Sequence, residues 1–494
     1  MPPVQRRATV GIGQGLDRVR AVRAAFEALG GIGQWIKPGH TVLLKPNFMT
    51  SMGTPTITHV DTICGLAQLC REAGAKRVLV GENSVCGMNT RTHFEFAGYH
   101  DALVRAGCEP VYFEEEDWLY VQREENFCLK DMHLPKSLVE ADVWMTVPVA
   151  KTHEATDTTL GIKNLHGIMA DEDKARHHRG RPEMGSSLHQ KFVDILMASK
   201  PHLCVCDMFH AAEGQGPAFG DIVEMGLCVA SADTVACDAV VEQLMDFDNL
   251  EGSLTRCAHE RGAGQGDINY IDIVGEPIAK HRRRFERARW RPATYEGIGL
   301  EIYTGDVCHG GCQMLLRYII DASQVGFAKD ARELGPIYIL CGLNPPPPPE
   351  DSFVVVYGDC AIYSTWHYSY RQKPRKIGPW WRPRDAFIDV PGCCPLQLQW
   401  LWSLHHLVYG YASVMSLLDG IKIYETDEYT FAKGVPLEKN PRRWHYDNEF
   451  ARRYANEIRA SNPPPYVYKN ETRKGDSFTQ WKLQQEKLRN GGGR

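Results

Sequence analysis

The chain has 494 residues, which at about 150 residues per domain implies two or three domains. Hydrophobic residues make up 43% and charged residues 24%, which excludes a mainly disordered or fibrous chain. With 56 basic against 61 acidic residues the net charge is −5, no nucleic-acid footprint, and the one unusual count is 16 cysteines.

Early in the chain, Arg6, Arg7, Arg18, Arg20 and Arg23 are spread among the first 30 residues without an apolar run or small-residue cleavage site, so no signal peptide is expected. No run reaches the roughly 18 to 20 apolar residues that a membrane span requires. The nearest, Trp400 to Leu418, is broken by Ser403, His405 and His406. The expectation is a cytoplasmic protein without membrane or nucleic-acid partners. Thiols stay reduced there, and clustered cysteines read as metal ligands rather than disulfides.

Leu16 to Leu29 has helical apolar spacing, and Thr41 to Leu44 reads as a short buried strand ending at Lys45-Pro46-Asn47. Thr62 to Ala73 is predicted helical, with Gly74 closing it, and Arg77 to Val80 is the next strand, followed by Gly81-Glu82-Asn83. A helix around His100 to Ala106 leads to a strand at Pro110 to Phe113, and later strands are predicted at Val143 to Val147 and Leu203 to Cys206. Continuous apolar strands between helices indicate a parallel sheet covered on both faces. Ligands of such sheets bind outside the carboxyl ends of the strands. Lys45, Asn47, Glu82, Lys151 and Asp207 are expected at that edge.

The densest polar stretch follows Val147: Lys151-Thr152-His153, then Gly161-Ile162-Lys163-Asn164-Leu165-His166-Gly167, then Lys174, His177 and His178. Lysines and amides at strand exits suit an anionic ligand such as a phosphate or carboxylate. The candidate site residues are therefore Lys45, Lys151, His153, Lys163, Asn164 and His177, with a histidine able to supply a proton near neutral pH. A second polar stretch, Asp207 to Gly220, carries Glu213-Gly214-Gln215-Gly216-Pro217, glycines that let backbone approach a ligand. Neither a P-loop nor a Gly-x-Gly-x-x-Gly fingerprint is present, so no nucleotide cofactor is inferred.

Lys280 to Arg291 is strongly basic and reads as a solvated linker, with a docking strip for an acidic partner as the sharper alternative. A second α/β unit is predicted over 295–418, with strands at Glu301 to Thr304, Ile337 to Leu340 and Val354 to Tyr357. The five prolines Pro345 to Pro349 form a stiff connector. Residues 419–494 read as a polar arm suited to contact a second copy of the chain, ending in a frayed tail. The fold class is thus α/β: two α/β units with mainly parallel sheets (1–280 and 295–418), a basic linker at 281–294, and a C-terminal arm.

Cys64, Cys70, Cys204, Cys206, Cys228 and Cys237 fall inside helix or strand patterns and read as small core residues. The second half differs. Cys308, Cys312, Cys360 and Cys393 each follow a predicted strand or sit in a tight turn of the same unit, so four thiolates can converge on one rim. That ligand set suits a [4Fe–4S] cluster, or structural zinc. One close pair followed by two distant single ligands favours the cluster over paired zinc knuckles, and Cys341 is a reserve ligand.

Two resemblances add to this. Val390-Pro391-Gly392-Cys393-Cys394-Pro395 resembles the cluster-binding turn of hydrogenase small subunits and the related subunit of respiratory complex I; Cys394 stands where that turn has proline, leaving Cys393 or Cys394 as the ligand. Lys45-Pro46-Asn47, Gly81-Glu82, Asp142 to His153, Gly161 to Gly167, His177, Asp207 to Gly220, Ala230 to Asp238 and Gly264 to Gly275 resemble the family of domain of unknown function 362 over roughly residues 8–280. That resemblance implies an iron–sulfur redox setting without a defined reaction. The family's usual ferredoxin-like module is absent, and the Cys308 to Cys394 region stands in its place.

The expected function is an iron–sulfur oxidoreductase acting on a small anionic substrate, served by a ferredoxin-type electron partner. The alternatives are a non-enzymatic electron-transfer or assembly protein, and a metal-dependent hydrolase or isomerase using His153, His177, His178 and Asp207.

Overall fold

The computed structural model describes residues 7–49, 53–85, 89–178, 180–181, 186–289, 300–307, 311–317, 336–350, 352–365, 368 and 387–390. They form two compact units. The first holds residues 7–174 and 188–289; the second holds the described residues between 175 and 187 and those from 300 onward.

In the first unit, β1 (Ala8–Gln14) runs through α1 (Arg18–Ala28) to β2 (Thr41–Pro46), and α2 (Val60–Glu72) leads to β3 (Arg77–Glu82). Helices α3 (Thr90–Phe96) and α4 (Tyr99–Arg105) precede β4 (Glu109–Tyr112). A separate hairpin of β5 (Trp118–Gln122) and β6 (Asp131–Pro135) and the short α5 (Lys136–Glu140) return the chain to β7 (Val143–Val147). Pro148 separates β7 from β8 (Val149–His153), which pairs antiparallel with β9 (Asp157–Thr159). Helices α6 (Gly161–Asn164) and α7 (Asp171–Ala175) follow. After a two-stranded ribbon counted with the second unit, β10 (Gly180–Arg181) and β11 (Ser186–Ser187), the chain re-enters the first unit with α8 (Leu188–Ser199), β12 (Leu203–Gln215), β13 (Phe219–Ser231), α9 (Thr234–Leu244), α10 (Ser253–Glu260), β14 (Ile271–Gly275) and α11 (Ile278–His281).

The large sheet has ten strands in the order β14-β1-β13-β12-β7-β2-β3-β4, with β8 alongside β12 and β9 beside β8. It is mixed and mainly parallel. The antiparallel pairs are β12–β13, β13 against β1, and β8–β9. Strands such as β2 are apolar at consecutive positions because both faces are covered. Val42 and Leu44 pack with Ala25 and Phe26 of α1 and Leu66 and Cys70 of α2, whereas Cys204 and Cys206 of β12 pack with Ala236 and Val240 of α9. Fully burying a side chain such as Phe26 contributes about 1.5–3 kcal/mol. Asp17 and Asp233 cap α1 and α9, each accepting first-turn amide protons.

Two expectations change. The strand predicted at Leu203 to Cys206 runs on to Gln215 and turns back as β13, so the Asp207 to Gly220 stretch is a paired hairpin rather than a loop. Its glycine serves chain packing: a Cβ on Gly216 would lie 1.9 Å from the Thr152 carbonyl oxygen of β8. The basic stretch is also no free strip. Arg282 pairs with Asp246 at 2.5 Å, Arg283 with Glu213 at 3.3 Å and Arg287 with Glu251 at 3.1 Å. Phe285 is buried in the core and the Arg287 guanidinium lies 3.0 Å from the Phe247 ring centroid, so the segment up to Arg289 is laid onto the first unit by its own acids and aromatics.

In the second unit, β15 (Leu300–Thr304), β16 (Ile337–Cys341), β17 (Phe353–Tyr357) and β18 (Phe387–Val390) form a parallel sheet in sequential order. Residues 312–317 are helical (α12), and α13 (Asp359–Ser364) follows β17. Leu340, Val354, Val356, Ala361 and Ile362 make its core. Among the described residues no helix is long and apolar enough to cross a membrane; Trp400 to Leu418 and the 419–494 arm lie outside them.

Because a backbone carbonyl cannot swing aside as a side chain can, Gly216→Ala is expected to destabilise the first unit by about 1–3 kcal/mol. Urea unfolding of the full chain measures this, and an unchanged midpoint would contradict the close approach of the hairpin to β8.

Candidate functional site

Lys45 lies near the carboxyl end of β2 and is 1% exposed. Burying an ammonium costs several kcal/mol unless its protons are bonded and its charge is balanced. Both conditions are met. Lys45 Nζ donates to Glu82 Oε2 at 2.8 Å, Asn164 Oδ1 at 2.8 Å and the Asn164 carbonyl at 2.7 Å. Glu82 ends the neighbouring strand β3 and also accepts from the Phe48 and Asn83 amides at 3.0 and 2.9 Å. Asn164 ends α6, and its Nδ2 returns bonds to the Lys45 carbonyl at 3.1 Å and Thr146 Oγ1 at 3.0 Å. A Cβ on Gly167 would fall 1.8 Å from Glu82 Oε1 and 2.5 Å from Lys45 Nζ, so only glycine lets this segment close over the ion pair.

Lys151 projects from β8, equally buried. Among the described residues its Nζ has two hydrogen-bond acceptors, Asn47 Oδ1 at 2.8 Å and the Thr56 carbonyl at 2.6 Å, and no carboxylate. Lys163, half-buried on α6, has no hydrogen-bond acceptor among them; its ammonium lies 4.7 Å from the Phe192 ring centroid of α8. Lys174 on α7 donates to the carbonyls of Asn83 and Ser84 at 2.8 and 2.6 Å and pairs with Asp171 at 3.3 Å.

Burial pulls Lys45 down to about 8 despite Glu82, and the same burial pushes Glu82 up. Burial, then the charges of Lys163 and Lys45, bring Lys151 to about 7. Lys163 falls to about 8 through burial and then Lys45. Among the described residues Lys45, Lys151 and Lys163 thus share one paired carboxylate, Glu82, and their side chains carry excess positive charge whenever the amines are protonated.

The structure brings Lys45 onto Asn164, and Lys151 onto Asn47, with Lys163 close enough to act on both lysines electrostatically. His153 lies two residues along β8 from Lys151, and its Nδ1 accepts the Ala155 amide proton at 2.9 Å. His177 follows α7 in the left-handed conformation, φ 55°, and belongs to the second unit. Asp207 is drawn to the opposite face of the sheet: it accepts from Thr62 Oγ1 at 2.6 Å and lies 3.7 Å from Arg18 Nε, while another Arg18 nitrogen is 2.8 Å from His210 Nδ1.

Sequence reading missed Lys191 and Arg18. Lys191 is fully buried on α8 and donates to the Lys174 carbonyl at 2.5 Å. The available signal was a lysine on a helical face otherwise formed by Leu188, Phe192 and Ile195.

The cysteines separate by environment. Cys204 and Cys237 share a buried spot with Asp238, their ligand atoms lying within 4.8 Å of one another. Asp238 caps α6, accepting from the Gly161 and Ile162 amides at 2.7 and 2.9 Å. Burial raises the Cys204 thiol far above its ordinary range, as expected of a neutral core thiol. In the second unit, Cys341 ends β16, is buried, lies 3.7 Å from Thr304 Oγ1 and is pushed up to about 12 by burial. Cys312 opens α12, and Cys360 lies in the first turn of α13 rather than in a loop. Cys308, Cys393 and Cys394 lie outside the described residues.

The sequence matches the model of a domain of unknown function, DUF362, over residues 42–242. It is 33% identical over 230 residues to the thylakoid-associated protein sll1697 of Synechocystis sp., covering 46% of this chain and 70% of that protein. The lactate racemase apoprotein from Thermoanaerobacterium thermosaccharolyticum is a remote structural match, with a TM-score of 0.34 and 12% identity over 69% of this chain and 70% of that one. A Thermotoga maritima protein gives 0.33 and 12% over 66% and 71%.

A lysine held at about 7 against an ordinary 10.5 binds fewer protons folded than unfolded between those two values. The Lys151 contribution to stability is therefore flat below pH 7 and rises from about 7 to about 10.5, by up to about 1.4 kcal/mol per pH unit. Lys151→Met removes this slope. The gap in urea-unfolding free energy between wild type and variant is expected to move in favour of the wild type from about pH 7 to 9; a constant gap would rule out the depressed lysine.

Proposed function

This chain belongs to the DUF362 family, and we propose that it is an iron–sulfur oxidoreductase whose first unit binds a small anionic substrate in the lysine cage. The observation that carries the reading is the charge imbalance: Lys45, Lys151 and Lys163 against one paired carboxylate, at the carboxyl edge of the sheet. An anion of one or two charges restores the balance there and is bound in low dielectric, where each charge-assisted hydrogen bond is strong. Lys163 meets the ligand first, because it alone of the three keeps solvent contact. Lys45 is held by Glu82 and Asn164 and sets the field. The His153 ring, with Nδ1 accepting a proton, is in its neutral form the Nε2–H tautomer, a donor beside β8. This cage is what separates an enzyme from a pure electron carrier, which has no use for three lysines gathered on one carboxylate.

The redox part rests on the second unit. Its strands are parallel, so their carboxyl ends share one edge, and positions 308, 360 and 393 each follow such an end by three or four residues. Cys312 and Cys360 are the described members of the proposed ligand set, and Cys341, facing the core, is left out of it. A [4Fe–4S] cluster there would supply single electrons, drawn from a ferredoxin-type partner in a reducing, cytoplasmic-type compartment.

Two measurements test this. Calorimetric titration with small mono- and dicarboxylates should detect binding that Lys163→Met weakens by about ten- to a hundredfold; no binding of any such anion to the wild type would refute the substrate class. Anaerobically prepared protein should contain iron and sulfide, with both lost on Cys312→Ala or Cys360→Ala. Absence of both elements from the wild type would remove the cluster.

A further inference from the structure

The lysines of the cage differ in how many acceptors they meet, and that number distinguishes an ammonium from an amine. An ammonium has three protons to place; a neutral amine has two protons and one lone pair. Lys45 meets three acceptors including a carboxylate, and so does Lys174. Both are satisfied as ammoniums. Lys163 places its charge against the Phe192 ring, as a cation does. Among the described residues Lys151 meets two neutral acceptors, Asn47 Oδ1 and the Thr56 carbonyl, which take two protons and leave the third position of the nitrogen without an acceptor from them. The charged groups acting on it are Lys45 and Lys163, both of which favour its neutral form.

We infer that Lys151 is a nucleophilic amine that forms an imine with a small 2-oxo acid, the neighbouring Lys163 pairing with the substrate carboxylate. This rests on the anion-binding reading of the cage and narrows it to a carbonyl compound. In the step, the Lys151 nitrogen lone pair forms a bond to the carbonyl carbon, and the carbonyl oxygen takes up a proton to give a carbinolamine. The C–O bond then breaks, the oxygen leaves as water with both amine protons, and a C=N bond remains; no electrons are gained or lost. A lysine desolvated beside other cations is a recognised route to such an amine at neutral pH. Asn47 and Thr56 orient the nitrogen, and the Lys163 charge selects substrates carrying an anion beside the carbonyl.

The test is reductive trapping on the full chain. Pyruvate or 2-oxoglutarate is added with cyanoborohydride, and the adduct is located by peptide mass mapping. One adduct is expected, on Lys151, absent from Lys151→Arg and Lys151→Met. Its formation rate should rise from about pH 6 to 8 and level off, whereas an exposed lysine continues to gain up to about pH 10. Lys163→Met keeps the nucleophile, so its adduct should need about tenfold more oxo acid and reach the same yield; circular dichroism confirms that each variant is folded. Lactate, which carries the carboxylate without the carbonyl, separates the two readings. If lactate and pyruvate bind and no Lys151 adduct forms, or adducts scatter over exposed lysines, the nucleophile is refuted while the anion site stands. If neither binds, both fall together.

Discussion

Buried ammonium groups at the carboxyl edge of the large sheet impose the strongest constraint on this molecule. A charge taken out of water must be given hydrogen-bond acceptors or lose its proton. The chain answers with acceptors from several separate segments: Glu82 from β3, Asn164 from α6, Asn47 and Thr56 from the stretch after β2. Gly167 is then compelled, because any side chain there would collide with the Lys45–Glu82 pair. Asp238 on α9 belongs to the same construction, since it pins the start of α6, which carries both Lys163 and Asn164.

The sheet makes this convergence geometrically cheap. Parallel neighbours β7, β2 and β3 end at one edge, so residues at or just past their last positions are neighbours without long loops. The break at Pro148 matters as well. It lets β8 leave β7 and run beside the outer part of β12, which brings Lys151 to the cage instead of extending β7. The long β12–β13 hairpin supports β8 from behind, at the distance Gly216 allows. In the second unit the parallel strands likewise end at one edge, and Cys360 lies in the first turn of the helix that follows β17.

Much of this was legible in the residues. The apolar runs at Thr41 to Leu44, Arg77 to Val80 and Val143 to Val147 lie within β2, β3 and β7, and Lys45, Glu82 and Lys151 fall at the edge their positions implied. The hairpin was not legible, because polar residues and glycines at Asp207 to Gly220 mimic a loop when the neighbouring strand is unknown. Nor was the fate of the basic segment: Arg282, Arg283 and Arg287 look solvent-bound until Asp246, Glu213 and Glu251 are seen opposite them. Arg18 and Asp207 show the same limit, meeting across most of the first unit's chain length to form a cluster on the far face.

The opening count of 16 cysteines and near-neutral charge determined less than their positions did. From the sequence alone came the α/β class, the edge at which polar residues collect, and the core thiols Cys70, Cys204, Cys206, Cys228 and Cys237 of the first half. Hydrophobic periodicity and strand exits are local properties, readable without a partner. The protonation pattern of the lysines was decided only in three dimensions. Lys151 takes its acceptors from residues 95 and 104 positions away, and Lys45 is joined to Asn164 across 119. Whether a buried lysine is an ammonium or an amine depends on how many acceptors reach it and which charges face it, and both are properties of the folded chain.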